Sequence, residues 1–320
     1  MIVTFTANPS LDKTIVLAEP LSRGEVHRAV SAGSEAGGKG INVARCVSYA
    51  GVEVVPVLSF RDEAFQPLVA AAGVAAAART VDGPYRVRTN TTLTEPDGTT
   101  TKVNEPGPTL TPAQVDAATA LLLDTARGAD WVVLSGSLPP GAPADWYARL
   151  TGELTPLGCK VAIDTSDAAL DAVLAALPGC PFDLIKPNSD ELAQLTGGDA
   201  AAFEASAEAG DLSAIVEAGR VLHDRGIANV LVTLGGSGAV LVNEAGAWYA
   251  TAPRITVQST VGAGDSSVAG FVLAEVAGES PDRCLANAAA YGSAAAGLPG
   301  TSLPHPDVVH PEQAHVTRLA

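Results

Sequence analysis

Three stretches set small residues beside a charged one, the arrangement in which backbone amides approach an anion. In AGSEAGGKGINVAR, residues 32–45, Gly33 and Gly38-Lys39 stand at the spacing of a G-x-x-x-x-G-K-S/T phosphate loop. The position that would carry the Mg²⁺-ligating hydroxyl is Gly40, so the pattern fails at its most chemical residue. The preceding GEVHRAVSA also alternates in polarity, as a half-solvated strand does, whereas a phosphate loop is fed by a buried one. In ITVQSTVGAGDSSVAGFVLAEVAG, residues 255–278, a β-like run ends at Thr260, and Gly262, Ala263 and Gly264 precede Asp265 and a helical apolar pattern. Successive amides at a helix start would make an anion hole with Asp265 facing whatever it holds. Asp is also a favoured N-cap, which explains Asp265 but not the three small residues before it. Gly262 and Gly264 begin a dinucleotide fingerprint whose third glycine falls on Ser267, near the chain's end, so that chemistry is set aside.

Four further stretches place polar groups after apolar runs. TLGGSGAV, 233–240, puts Gly235, Gly236 and Gly238 at the end of a buried strand, to accept a nucleotide or to turn the chain. IKPNSDEL, 185–192, puts Asn188 and Glu191 on one helix face, a spacing that is equally a capping box. TANPSLDKT carries Asp12 and Lys13 past the first strand, and LSGSLPPG carries Ser135 and Ser137 to a Pro-Pro-Gly turn.

The elements that must position these groups are legible as rhythm. Continuous apolar runs at 2–6, 52–60, 131–136, 160–166, 183–188 and 230–236 suit strands buried on both faces. Most are separated by segments of helical spacing, such as TPAQVDAATALLLDTARG. Strand alternating with helix predicts an α/β fold, a mostly parallel sheet flanked by helices on both faces, with ligands at the carboxyl ends of the strands. Residues 11–36 and 84–108 break the rhythm: both alternate in polarity, and the second holds the hairpin turn EPDG. They predict a small antiparallel sheet beside the ligand edge, a lid whose bare face would pair with a second subunit. The Ala-rich stretches 69–78 and 286–296 read as close-packed helices.

A net charge of −16 without any Lys/Arg block excludes a nucleic-acid or anionic-membrane surface. Of five lysines, four (Lys13, Lys39, Lys102 and Lys186) fall in or beside the stretches above, as a site for anionic small molecules in an acidic protein requires. Cys46, Cys159, Cys180 and Cys284 have no metal or disulfide spacing and read as buried thiols. With no signal-like N-terminus and no apolar run of about 20 residues, the expected location is cytoplasmic. His305, His310 and His315 match no metal face and read as surface residues.

Together AGGKGINVA and TVGAGDSSVAGF, in that order, resemble the paired signatures of the ribokinase/PfkB family of sugar kinases, and the resemblance covers nearly the whole chain. TANPSLD, RTN at 88–90, NEPGP at 104–108, SGSLPPG and KPN are similar to its phosphosugar branch, the 1-phosphofructokinases and tagatose-6-phosphate kinases. Ser259, where many relatives acting on unphosphorylated sugars carry Asp, agrees with that branch, and Ser267 replaces a usually bulkier residue.

The resemblance implies a single ribokinase-like domain over 1–320 and an ATP-dependent, Mg²⁺-requiring kinase of a ketose monophosphate. Fructose 1-phosphate going to fructose 1,6-bisphosphate is the first expectation, tagatose 6-phosphate and fructose 6-phosphate the alternatives. A non-catalytic phosphosugar sensor is the alternative from another class, and the intact Gly-Ala-Gly-Asp argues against it. By the same resemblance Asp265 is the catalytic base and Gly262, Ala263 and Gly264 are the anion hole. Asn188 and Glu191 organise Mg²⁺ through water, Lys186 points to the nucleotide phosphates, Thr233, Gly235 and Gly238 form the ATP turn, and Asn287 lies near the adenine. Asp12, Gly38 and Asn42 hold sugar hydroxyls, and Lys39, Arg88, Lys102 and Ser137 are the candidates for the phosphate already on the substrate. A carboxylate at a helix N-terminus is expected to have a low pKa, which dissociative phosphoryl transfer tolerates. A homodimer through the lid is the expected assembly.

Overall fold

The computed structural model describes residues 1–74, 77–83 and 85–319. In chain order the first half comprises β1 (Ile2–Thr6), β2 (Ser10–Leu17), β3 (Ala29–Gly37), α1 (Lys39–Tyr49), β4 (Val54–Leu58), α2 (Gln66–Ala71), β5 (Arg79–Thr80), β6 (Arg88–Thr94), β7 (Thr100–Asn104), α3 (Pro112–Thr125), β8 (Trp131–Ser135) and α4 (Trp146–Leu154). The second half comprises β9 (Lys160–Asp164), α5 (Asp167–Ala176), β10 (Phe182–Ile185), α6 (Ser189–Thr196), α7 (Ala200–Glu208), α8 (Ser213–Asp224), β11 (Ile227–Thr233), β12 (Ala239–Asn243), β13 (Gly246–Ala250), α9 (Ala263–Val276), α10 (Pro281–Ala296) and β14 (Val316–Arg318).

Ten strands form the body sheet in the order β14-β13-β12-β11-β10-β9-β8-β1-β4-β5. From β5 to β11 every pairing is parallel, and only the pairings β11–β12, β12–β13 and β13–β14 are antiparallel. The continuous apolar runs are the central strands, and β1 and β8 are buried at every position. Alternate side chains feed two cores, as period-2 geometry demands. Val3, Phe5, Val132 and Leu134 pack with α3 to α8, while Ile2, Trp131 and Val133 pack with α1, α2, α9 and α10. No helix among the described residues is long and apolar enough to cross a membrane.

Four strands form the lid sheet, ordered β3-β2-β6-β7, and the EPDG turn closes its second hairpin with the Glu95 amide donating to Thr99 O. The lid is not purely antiparallel, because β2 and β6 pair in parallel from Ser10↔Arg88 to Val16↔Thr94. Both strands leave the carboxyl edge of the parallel body sheet and so point the same way, and their return strands β3 and β7 flank them.

Two other expectations change. Residues 251–260 form no strand: β14 already occupies the edge of β13, and the Gln258 and Ser259 amides instead donate to Ala296 O at the end of α10. The helix in the first Ala-rich stretch ends at Ala71, and Ala75 and Ala76, like Pro84 at the expected start of the lid, lie outside the described residues. Cys46, Cys159 and Cys284 are buried free thiols, whereas Cys180 is half-buried. His305, His310 and His315 are exposed, and His305 also stacks on Tyr49.

Candidate active site

The carboxyl ends of β1, β8, β9, β10 and β11 meet the N-termini of α1 and α9 at one edge. Gly262 takes the left-handed conformation, φ 77°, and serves as N-cap of α9, which puts Asp265 in its first turn. The helical ladder begins at Ser266, whose amide donates to Gly262 O, and the Ala263 amide donates to Thr260 O, so the amides of Gly264 and Asp265 are the first-turn donors left without a helical partner. Ser267 fits here as a small residue: its hydroxyl donates to Ala263 O, and a side chain on Gly292 opposite would collide with it.

Asp265 is 7% exposed and accepts a 2.8 Å hydrogen bond from Asn42 Nδ2 on α1. Burial, reinforced by the charge of Asp164 and opposed by Lys39 and Asn42, pushes its carboxyl up to about 6. The low value expected from the helix terminus is therefore wrong here: desolvation outweighs the helix field. A carboxyl near 6 is ionised at neutral pH yet keeps useful proton affinity.

Beside it lies a group that the sequence reading missed. Asp164, 2% exposed at the end of β9, takes Lys39 Nζ on Oδ1 at 3.0 Å and Lys186 Nζ on the same oxygen at 3.7 Å. Burial alone would raise its pKa, but the two ammonium groups outweigh burial and hold the carboxyl below the ordinary value. Oδ2 is buried with no hydrogen-bond partner among the described residues. Burial likewise opposes the charge on Lys39, but the fields of Asp164, Asp265 and Glu191 raise its pKa overall. Lys186 is 6% exposed, and a Cβ on Gly264 would sit 3.2 Å from its Nζ, so this ammonium rests against the first turn of α9. The one available signal for Asp164 was its place, an acidic residue closing the apolar run KVAID.

The glycines of α1's entry are fixed by contact. A Cβ on Gly40 would lie 2.4 Å from Thr6 Oγ1 and 2.9 Å from Phe5 O, and one on Gly38, φ 125°, would lie 2.6 Å from Thr6 Cγ2. The hydroxyl of a phosphate loop has no room at position 40, because the start of α1 packs directly on β1.

On the lid side, Asp12 Oδ1 accepts from Ser10 Oγ at 2.7 Å and from Asn90 Nδ2 at 3.1 Å. Gly37 lies so close to this carboxylate that any side chain there would overlap it. Burial raises the Asp12 pKa against those hydrogen bonds and the charge of Arg88. Arg88 pairs in register with Ser10, donates from Nη1 to Glu105 O, and is half-buried, its Nε without a hydrogen-bond partner among the described residues. Asn90, quoted in the motif RTN without a role, is thus a second group the sequence reading passed over.

Lys102 is exposed on β7 opposite Thr92, on the same face as Asp12 but nearer the lid tip. Ser137 is half-buried in the loop after β8. Asn8 ties that loop to the NEPGP segment by donating from Nδ2 to Leu138 O and Pro106 O. Lys39 is brought to Asp164, and no interaction among the described residues joins it to Arg88, Lys102 or Ser137.

On the opposite side, Asn188 and Glu191 form the capping box of α6, with Oδ1 on the Glu191 amide and Oε2 on the Asn188 amide. The Thr233 amide donates to Pro187 O, and a 3₁₀ turn, Gly235–Ser237, follows. Between them opens a cleft of about 580 Å³ lined by Asn188, Asp190, Thr233, Gly235, Gly236 and Ser237. Gly238 and Asn287 are not on its wall. Gly238, φ 97°, leaves 2.1 Å between an added Cβ and Ala250 O, and so turns the chain, while Asn287 Nδ2 donates to Gly270 O and ties α10 to α9.

Comparison with known proteins agrees with this fold. A 1-phosphofructokinase of Xanthomonas campestris is 38% identical over 85% of this chain and 83% of its own. The crystal structure of phosphofructokinase-2 from Escherichia coli in complex with substrates and products superposes with a TM-score of 0.85 at 28% identity over 96% of each chain. Ribokinase of Arabidopsis thaliana complexed with ribose and ATP has a TM-score of 0.73 at 24% identity over 96% of each chain, and shares the fold. The profile of the pfkB family carbohydrate kinases matches residues 6–308. With Asp265, the first turn of α9 and the Lys39 and Lys186 ammonium groups at one sheet edge, and with this profile match, the chain belongs to the pfkB family of carbohydrate kinases, phosphotransferases whose acceptor is a hydroxyl group.

Proposed function

We propose that this kinase transfers the γ-phosphoryl group of ATP to the free hydroxymethyl group of fructose 1-phosphate, giving fructose 1,6-bisphosphate. The observation that carries the reading is the meeting of Asp265, held by Asn42, with Lys186 and the first turn of α9, in a chain 38% identical to a 1-phosphofructokinase.

The sugar lies between Asp12 on the lid and Asp265 on the body, with Gly38 allowing close backbone approach. Arg88, Lys102 and Ser137 serve the phosphate already on the substrate. Lys39 is better read as serving the transferring group, since its partner is Asp164 and it feels Asp265 and Glu191. Asn42 orients Asp265, which accepts the hydroxyl proton. The Gly264 and Asp265 amides and the Lys186 ammonium offset charge on the moving phosphoryl group, the main demand of a loose transition state. The nucleotide occupies the cleft at Thr233 and Gly235.

The buried, unpartnered Oδ2 of Asp164 fits a nearby hydrated cation. Asp164 and Glu191 are the carboxylates that would serve Mg²⁺ there, through its water shell and together with the nucleotide phosphates. Bound there, Mg²⁺ would supply neutralisation of phosphate charge. We read residues 1–320 as one domain that pairs through the lid, where Val26, Val30 and Val103 are 85%, 67% and 58% exposed.

A coupled assay over fructose 1-phosphate, tagatose 6-phosphate, fructose 6-phosphate and fructose tests the reading. Fructose 1-phosphate should give the highest kcat/KM. A higher value for another acceptor reassigns the substrate, and binding without ATP turnover on any of them leaves a sensor.

A further inference from the structure

A cavity of about 650 Å³ lies behind α1, away from Asp265, walled by the end of β3, α1, α2 and the segment 298–308. Its volume is that of a small-molecule site, and nothing in the kinase reaction uses it.

Its one cationic guanidinium among the described residues is that of Arg45, whose side chain is 12% exposed yet poorly satisfied. Nη1 stands 3.6 Å from Glu35 Oε2, Nη2 reaches the Tyr49 hydroxyl at 3.5 Å, and Nε is buried without a partner among the described residues. A guanidinium has five donors in a fixed fork that suits a carboxylate or phosphate, and leaving them unmet in a buried place is costly. Across the cavity Tyr49 and His305 stack, with ring centroids 3.9 Å apart and planes within 12°, and Leu68, Ala72 and Leu303 supply apolar wall. The acidic groups facing the space, Glu35 and Asp307, are both exposed, so solvent screens them and Glu35 is free to turn outward.

We propose that this cavity binds a small organic anion, a carboxylate or phosphate on a planar apolar body, with Arg45 taking the charge in place of Glu35. The cavity touches the catalytic edge at three points. Arg45 is one turn from Asn42 on α1, Glu35 and Ala36 lead into Gly37 and Lys39, and Leu303 packs so closely on Gly262 that a Cβ there would lie 2.9 Å from its Cδ2. An occupant would therefore bear on the base, on the lysine and on the start of the anion hole together.

Isothermal titration of phenyl phosphate into the full chain, with fructose 1-phosphate and ADP present in excess to fill the catalytic cleft, tests this. Saturable binding should persist, Arg45→Met should weaken it at least tenfold, and Glu35→Gln, which removes the competing carboxylate, should tighten it severalfold. Absence of saturable binding to the wild type, or affinities unchanged in both variants, overturns the proposal.

Discussion

The two ends of the proposed catalytic cleft, the lid side assigned to the sugar and the side assigned to the nucleotide, are built from different materials. At the sugar end, side chains carry the chemistry: Asp12 is fixed by Ser10 and Asn90, and Gly37, Gly38 and Gly40 have almost no space around them. At the nucleotide end a backbone turn and a capping box line the cleft, and added Cβ atoms on Gly235 and Gly236 would meet nothing within 4 Å. The difference teaches where discrimination resides. Side-chain hydrogen bonds reject a sugar that leaves them unpaired, whereas a backbone cradle accepts a common phosphate donor with little demand on sequence.

Asp265→Asn should have the largest effect on rate, lowering kcat by roughly 10²–10⁴-fold with ATP affinity kept, because the base is lost and the shape is not. A kcat within tenfold of wild type would contradict the assignment. Asp164→Ala should cost about 3 kcal/mol of stability in a denaturant titration, since it strands the buried Lys186 ammonium. Unchanged stability would mean that the two lysines relax without it. Gly40→Ala should cost about 1–3 kcal/mol through overlap with Phe5 O and Thr6, while Gly236→Ala should leave both stability and the KM for ATP within about twofold; equal losses in the two would erase the contrast between the ends. Arg88→Met should raise the KM for fructose 1-phosphate about tenfold, a change of about 1.4 kcal/mol, and leave the KM for ATP alone, and parallel shifts in both would remove Arg88 from the sugar end. The smallest effect is on pH. Asp265 must be ionised to accept a proton, so kcat/KM should rise with pH and level off above about 6. A profile flat from pH 5 to 8 would show that burial does not raise this carboxyl.

Much of this architecture was legible in the sequence because the central strands are buried on both faces and announce themselves as unbroken apolar runs, as in IVTFT and WVVLS. The lid was legible as alternation, but its parallel β2–β6 pairing depends on where two distant strands leave the body, which no local pattern records. Asp265 stood out because three small residues precede it. Asp164 did not, because an Asp after a strand is ordinary until two lysines from distant segments close on it. The pKa of Asp265 failed for the same reason: a helix terminus is readable locally, whereas burial is a property of everything packed around it.

Lys39 and Asn42 stand three residues apart on α1, one bonded to Asp164 and the other to Asp265. Three residues of helix span about 4.5 Å along the axis, so one turn of α1 presents both partners to the two carboxylates. Asp164 on β9 and Asp265 on α9 are thus tied to one helix of the body, and none of the lid strands takes part in setting the distance between them.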